Sequence, residues 1–388
     1  MLSDLDQWQA IVATAQQWRR QLHRQPELGW QETQTAAFIR ARLDELGITW
    51  RACAKTGTLA TIAADAPGPH IALRGDIDAL PIAEQTDLPY ASEVPGLMHA
   101  CGHDGHTATL LAVGAWLQTQ VDRLPGPVTL LFQPAEEGGH GAAAMIADGA
   151  LKGIDRIYGW HNWPAIPVGQ MVCPDGAVMS GNDVFYINVT GRGGHSSQPE
   201  LCADPVLAAS AINLNLQQVV SRRIAPQRPA VLSVTSIMAP SADNVIPDCA
   251  NMLGTIRFSH PETRAILHQA MQEIVEQTAQ AYGVSAELKF ELGYGATLNH
   301  NAEADQMRSA WTREHGTESL DTKLLMPVMA AEDFSDYLNV IPGAFALVGT
   351  DDGVPAHQVS CHSSRYDFND ALIEPVMRLF VDLVGVNR

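Results

Sequence analysis

Basic residues are scarce in this chain: 24 Lys and Arg stand against 43 Asp and Glu, a formal net charge of -19. Phosphate backbones are bound by clustered Lys and Arg, and a field of this sign repels them, so nucleic acid is excluded as a partner. Nowhere do about eighteen apolar residues follow one another, so the sequence holds no candidate membrane-spanning helix. The opening MLSDLDQWQA carries acidic residues and no apolar run of signal-peptide length. These absences lead us to expect a cytoplasmic protein. Cysteines number six, at positions 53, 101, 173, 202, 249 and 361. Scattered through a long chain of cytosolic character, they do not read as a disulfide framework. Internal repeats and low-complexity segments are missing as well.

What is present is apolar material in quantity. Hydrophobic residues make up 46% of 388 positions, too long a chain for one ordinary core, so two domains are expected. Ser3 can cap a first helix whose apolar positions Trp8, Ile11, Val12, Ala15, Trp18 and Leu22 follow the helical period, and 32–46 repeats the pattern. Short apolar runs at 58–63, 71–74, 128–132 and 157–160 then alternate with helical stretches such as 107–121. That alternation predicts an α/β layer with a mostly parallel central sheet, whose chemistry collects where strands end and loops begin.

Between 182 and 292 the order changes to strand, helix, strand, strand, helix, strand, the ferredoxin-like arrangement. We therefore expect an inserted α+β domain over 182–292, with 1–181 and 293–388 forming one catalytic α/β domain. The return is needed in any case, because His362 must reach the motifs near residue 100.

Those motifs are rich in sulfur, imidazole and carboxylate. Cys101-Gly102-His103 sets a thiolate and an imidazole either side of a glycine that permits the turn. Alone, it could be a buried cysteine beside a capping histidine. His106 and His99 read better as packing or hydrogen-bonding residues. Glu136-Glu137, closing an apolar run before Gly138-Gly139, could supply one metal ligand and one general base, although such a pair is ordinarily solvated surface. Arg74-Gly75-Asp76-Ile77-Asp78 ends a strand with two carboxylates, of which Asp78 is the candidate to orient a ligand imidazole; a capped turn paired with Arg74 is the alternative. His161 and His362 are ligand candidates that could equally be core histidines. Together Cys101, His103, Glu137, His161 and His362 form the ligand set of zinc, manganese, cobalt or nickel. His195, in the glycine-rich GRGGHSS, could donate to a developing oxyanion or be an exposed loop residue.

With RGDIDALPI, MHACGHDGHTA, QPAEEGGHGA, GRGGHSSQPE, DNVIPD, AAEDF and CHSSRYDFND in this order, the chain resembles the amidohydrolase branch of the metal-dependent aminoacylase and carboxypeptidase family, which includes hippurate hydrolase and the auxin-conjugate hydrolases. The resemblance spans nearly the full length. It implies two divalent metal ions on Cys101, His103, Glu137, His161 and His362, with Glu136 as general acid/base. It further implies a homodimer built on the inserted domain, in which His195 of one subunit serves the other's active site. Asn244 and Arg257 match positions that hold a substrate carboxylate. The implied reaction is hydrolysis of the amide of an N-acyl amino acid or dipeptide-like small molecule. A thiolate can bridge two metals, which makes Cys101 the candidate for that duty.

Two other readings use the same residues. A thiol hydrolase would make Cys101 a nucleophile activated by a histidine, and would leave Glu137, His161 and His362 without purpose. A non-catalytic metal-binding protein would have no need of Glu136.

Overall fold

Ile71–Asp76 and Val128–Gln133 are buried at every position, the mark of strands covered on both faces. They lie at the centre of a seven-stranded sheet in a computed structural model that describes residues 3–386. From edge to edge the order is Trp50–Cys53, Gly57–Ile62, Val128–Gln133, Ile71–Asp76, Arg156–Pro167, Gly343–Asp351 and Met171–Val172. The inner strands from Val128–Gln133 to Gly343–Asp351 are parallel, and the outer ones pair antiparallel. This is the expected α/β class with a mostly parallel centre. All six cysteines are free, and no described helix is long and apolar enough to cross a membrane.

Contacts divide the chain into two units. One comprises the chain up to Val178, Leu298–Met326 and the chain from Asp333 onward; the other is Met179–Thr297 with Pro327–Glu332. Residues 1, 2, 387 and 388 of the expected catalytic segments lie outside the described residues.

In the first unit, Asp4–Arg24 begins at a reciprocal cap. The Ser3 hydroxyl accepts from Asp6 N, and the Asp6 carboxylate accepts from Ser3 N. Trp8, Val12, Ala15 and Leu22 then form its buried stripe, against which the helix His103–Gln118 packs in the same core. That second helix starts at His103, ahead of the expected Thr107, because Gly102 at φ 97 turns the chain into it without any side-chain cap. A periodicity count cannot see such a start: His103-Asp104-Gly105-His106 looks polar, yet all four are buried.

In the second unit the burial pattern of Gly181–Thr190 alternates, so only one sheet face is covered. The sheet order Ala230–Met238, Cys249–Phe258, Gly181–Thr190, Ser285–Leu292 is antiparallel throughout. The helices Pro205–Gln218 and Pro261–Ala281 share its core through Ile212, Leu216, Leu267 and Met271 against Phe185, Ile187 and Ile256. The strands of this sheet and the two helices follow one another along the chain as strand, helix, strand, strand, helix, strand. Asp204 caps the first of these helices, accepting from Val206 N at 2.8 Å and Leu207 N at 3.2 Å.

Candidate metal centre

Asp76 and Gln133 end two adjacent parallel strands, and His161 lies midway along the neighbouring Arg156–Pro167. Cys101 and His103 enter from the loop that starts the His103–Gln118 helix. Gly102 between them has φ 97, and a Cβ there would sit 2.3 Å from Asn162 Oδ1 and 2.7 Å from Tyr366 Oη. Only glycine fits, so the thiol and imidazole can flank a turn pressed onto its neighbours. The distant C-terminal segment is pinned by His362 N, which donates to Ala100 O at 2.7 Å.

The five expected ligands come together as two trios. Cys101, His103 and His161 present ligand-type atoms all within 4.8 Å of one another, and so do Cys101, Glu137 and His362. Cys101 belongs to both. His161 Nε2 lies 3.2 Å from Cys101 Sγ, and His362 Nε2 lies 3.1 Å from Glu137 Oε1. His103, Glu136 and Glu137 form a further close trio, which sets the Glu136 carboxylate beside the ligand candidates.

Each imidazole is oriented through its other nitrogen. His103 Nδ1 donates to the Asp78 carbonyl at 2.9 Å, with the Asp78 carboxylate 3.3 Å away, so the proton is on Nδ1 and Nε2 faces the cluster. His161 Nδ1 donates to Asn162 O at 2.7 Å, again leaving Nε2 inward. Burial, then the neighbouring His106, keeps the His161 imidazole well on the neutral side. His103 is pulled the other way: burial lowers its pKa, but Asp76, Asp78 and Glu137 outweigh that and raise it to about 10. Asp78 also steadies the glutamates, its Oδ2 accepting from Glu137 N at 3.0 Å. For Cys101, the hydrogen bond with Cys361, then burial, then the charge of Glu137 push the thiol well up.

A buried polar floor lies beneath. Arg74 donates to Asp76 at 2.6 Å, to Asp333 at 3.1 Å and to Gln133 Oε1 at 2.9 Å. Burial would raise the Asp76 pKa, yet Arg74, His103 and His106 hold it well below the carboxylate range. His106 bridges Asp76 at 2.5 Å and Asn162 Oδ1 at 2.7 Å, and with Asp76 and His103 it forms another buried trio of ligand-type atoms. His99 is buried with neither ring nitrogen hydrogen-bonded.

The donor set fits a pair of divalent cations. His103 Nε2 is buried without a hydrogen-bond partner, and Glu137 Oε1 faces His362 Nε2 at 3.1 Å. A buried polar atom left without a hydrogen bond is costly unless something is held there to meet it. Thiolate, imidazole and carboxylate are what zinc, manganese, cobalt or nickel would take. Sequence reasoning missed Cys361 and Asn162, both touching this cluster; their only signal was adjacency to His362 and His161.

The remaining candidates lie in the second unit. His195 and Asn244 are neighbours on a two-stranded ribbon, His195 pairing with Val245 while Ser196 N donates to Asn244 O at 3.0 Å. His195 Nδ1 accepts from Ser197 N at 3.1 Å, which leaves the proton on the exposed Nε2. Arg257 is on Cys249–Phe258, on the sheet face opposite the buried Ile256 and Phe258, where partial burial lowers its pKa.

Comparison with known proteins agrees with this geometry. The model of peptidase family M20/M25/M40 matches residues 72–385. N-acetyl-L-cysteine deacetylase of Bacillus subtilis (strain 168) is 44% identical over 334 residues, 86% of this chain and 79% of that protein. Hippurate hydrolase of Campylobacter jejuni is 37% identical over 358 residues, 92% of this chain and 91% of its own. Among solved structures, the Bacillus subtilis YXEP protein, described as a dinuclear metal binding peptidase, superposes with a TM-score of 0.85 at 34% identity, covering 97% of this chain and 98% of that one. The chain belongs to peptidase family M20/M25/M40.

Proposed function

We propose that this protein is a metal-dependent amidohydrolase that cleaves the amide of N-acyl amino acids, releasing a carboxylic acid and an amino acid. The observation that carries the reading is Cys101 shared between two ligand trios with the Glu136 carboxylate beside them. Cys101, His103, Glu137, His161 and His362 would hold the ions, with Cys101 placed to serve both. Two divalent ions held there would lower the pKa of a water molecule and polarise the scissile carbonyl. Glu136, 6% exposed, takes the water's proton as the oxygen attacks. It then returns that proton to the amine nitrogen as the C–N bond breaks. Asp78 keeps His103 in the required tautomer and holds the Glu137 main chain.

The resemblance supplies the other roles. His195, with its Nε2–H free, is the candidate donor to the tetrahedral oxyanion, and Asn244 and Arg257 the candidates to hold the substrate carboxylate. Residues 182–292 are read as a dimerisation domain; exposed Leu207 and Leu214 on the helix Pro205–Gln218 favour a homodimer, which light scattering tests. Six free thiols suit a cytoplasmic, reducing setting.

The deciding experiment is turnover of a panel of N-acetyl, N-benzoyl and aryl-conjugated amino acids and dipeptides. The protein is first stripped of metal and then reloaded with zinc, manganese, cobalt or nickel. Hydrolysis that returns on reloading supports the reading; no turnover of any member with any metal sinks it.

A further inference from the structure

The turn that carries Glu136 is held from outside by a segment far away in sequence. Ala135 lies at φ 51, in the left-handed region that a residue with a Cβ adopts only under constraint. Its N–H donates to Glu32 Oε1 at 2.8 Å, and Glu32 Oε2 accepts from Thr56 Oγ1 at 2.7 Å. Glu32 is 0% exposed, and burial pushes its carboxyl up. At the other end of the turn, Trp30 Nε1 donates to Gly139 O at 3.0 Å. Between the two arms the backbone itself is close: a Cβ on Gly29 would stand 3.1 Å from Ala135 Cα and 3.4 Å from Asp78 Oδ2.

A buried carboxyl is an expensive way to fill space, and an apolar side chain of that size would pack without the desolvation cost. What Glu32 alone supplies is an acceptor for the N–H one residue before Glu136. Neither Glu32 nor Trp30 is in the ligand trios or beside the reacting atoms. We propose that Glu32, assisted by Trp30, is a positioning residue: it locks Ala135 in the left-handed conformation and so aims the Glu136 carboxylate. This inference rests on Glu136 being the general base.

Two variants separate the hydrogen bond from bulk. Glu32→Gln keeps an acceptor for Ala135 N and a donor for Thr56 Oγ1, whereas Glu32→Leu keeps the approximate size and loses both. We expect Glu32→Gln to hold kcat within about threefold of the parent, because the acceptor remains. In Glu32→Leu kcat falls on the order of 10- to 100-fold with KM within about twofold, as a misaimed catalytic group demands. Metal stoichiometry stays at the parent value in Glu32→Leu, and amide hydrogen exchange over residues 134–139 accelerates. Parental kcat in Glu32→Leu, a loss carried by KM, or a Glu32→Gln variant as impaired as Glu32→Leu would each overturn the proposal. Should Glu32→Leu not fold, Trp30→Phe, at a partly exposed position, carries the test. A several-fold drop in kcat at unchanged KM supports the clamp, and an unchanged kcat overturns it. A parent without turnover would bring down the Glu136 reading instead, while exchange over 134–139 still reports on the clamp by itself.

Discussion

Glu136 and Arg74 show how much one side chain can decide here. Glu136 is nearly closed to solvent and close to His103 and Glu137. Replacing it by glutamine preserves shape and removes the base. Glu136→Gln is therefore expected to keep its metal content and lose kcat by about 10²- to 10⁴-fold; substantial turnover in the metal-loaded variant would remove the base from the mechanism. Arg74 serves the fold, since its carboxylate partners Asp76 and Asp333 are fully buried with it. Arg74→Met takes the guanidinium away from two buried carboxylates, so denaturant unfolding should show a loss of about 3–5 kcal/mol. At this scale the ligand candidates were legible, because Cys, His and adjacent Glu beside strand ends are uncommon outside a site. Glu32, Asn162 and Cys361 were not. They are ordinary residue types whose roles come from burial against a neighbour distant in the chain.

Among the elements, the His103–Gln118 helix is the most constrained, since its first residue is a ligand candidate and its start hangs on one glycine. Gly102→Ala would combine backbone strain at φ 97 with a Cβ driven into Asn162. A cost of about 3 kcal/mol or more is expected, with metal content falling in parallel; a variant as stable as the parent would refute that dependence. The same helix is tied to Asp4–Arg24 by His23 Nδ1, 2.8 Å from Asp104 Oδ2. Burial lowers the His23 pKa, but Asp104 and Glu84 outweigh it and raise it to about 9 from 6.5. The folded state therefore keeps a proton that the unfolded chain has given up. This contribution is complete below pH 6.5 and disappears as the pH rises to about 9, an effect on the order of 3 kcal/mol. Denaturant melts across that window should show the decline in the parent and a shallower slope in His23→Gln. The two helices between residues 4 and 46 were readable from clean periodicity, but the start of the glycine-initiated helix was not, since its polar first turn is masked by burial.

For the molecule as a whole, metal removal is the discriminating perturbation. Ions that bind only the folded chain stabilise it by mass action. Stripping should thus lower the thermal midpoint and abolish hydrolysis together, and reloading should restore both. A thiol hydrolase would instead survive chelation and lose activity to iodoacetamide. Cys101, 8% exposed, should resist alkylation in the metal-loaded protein and become reactive after stripping. The class of fold was determined by the sequence itself, through short apolar runs that become strands buried on both faces. Family membership was readable too, because motif order survives without coordinates. Which atoms meet was decided only by the tertiary structure. Cys101 stands in two trios, Arg74 joins Asp333, and Glu32 reaches Ala135 because parallel strands bring loops from distant positions to one edge. No periodicity along the chain encodes those distances.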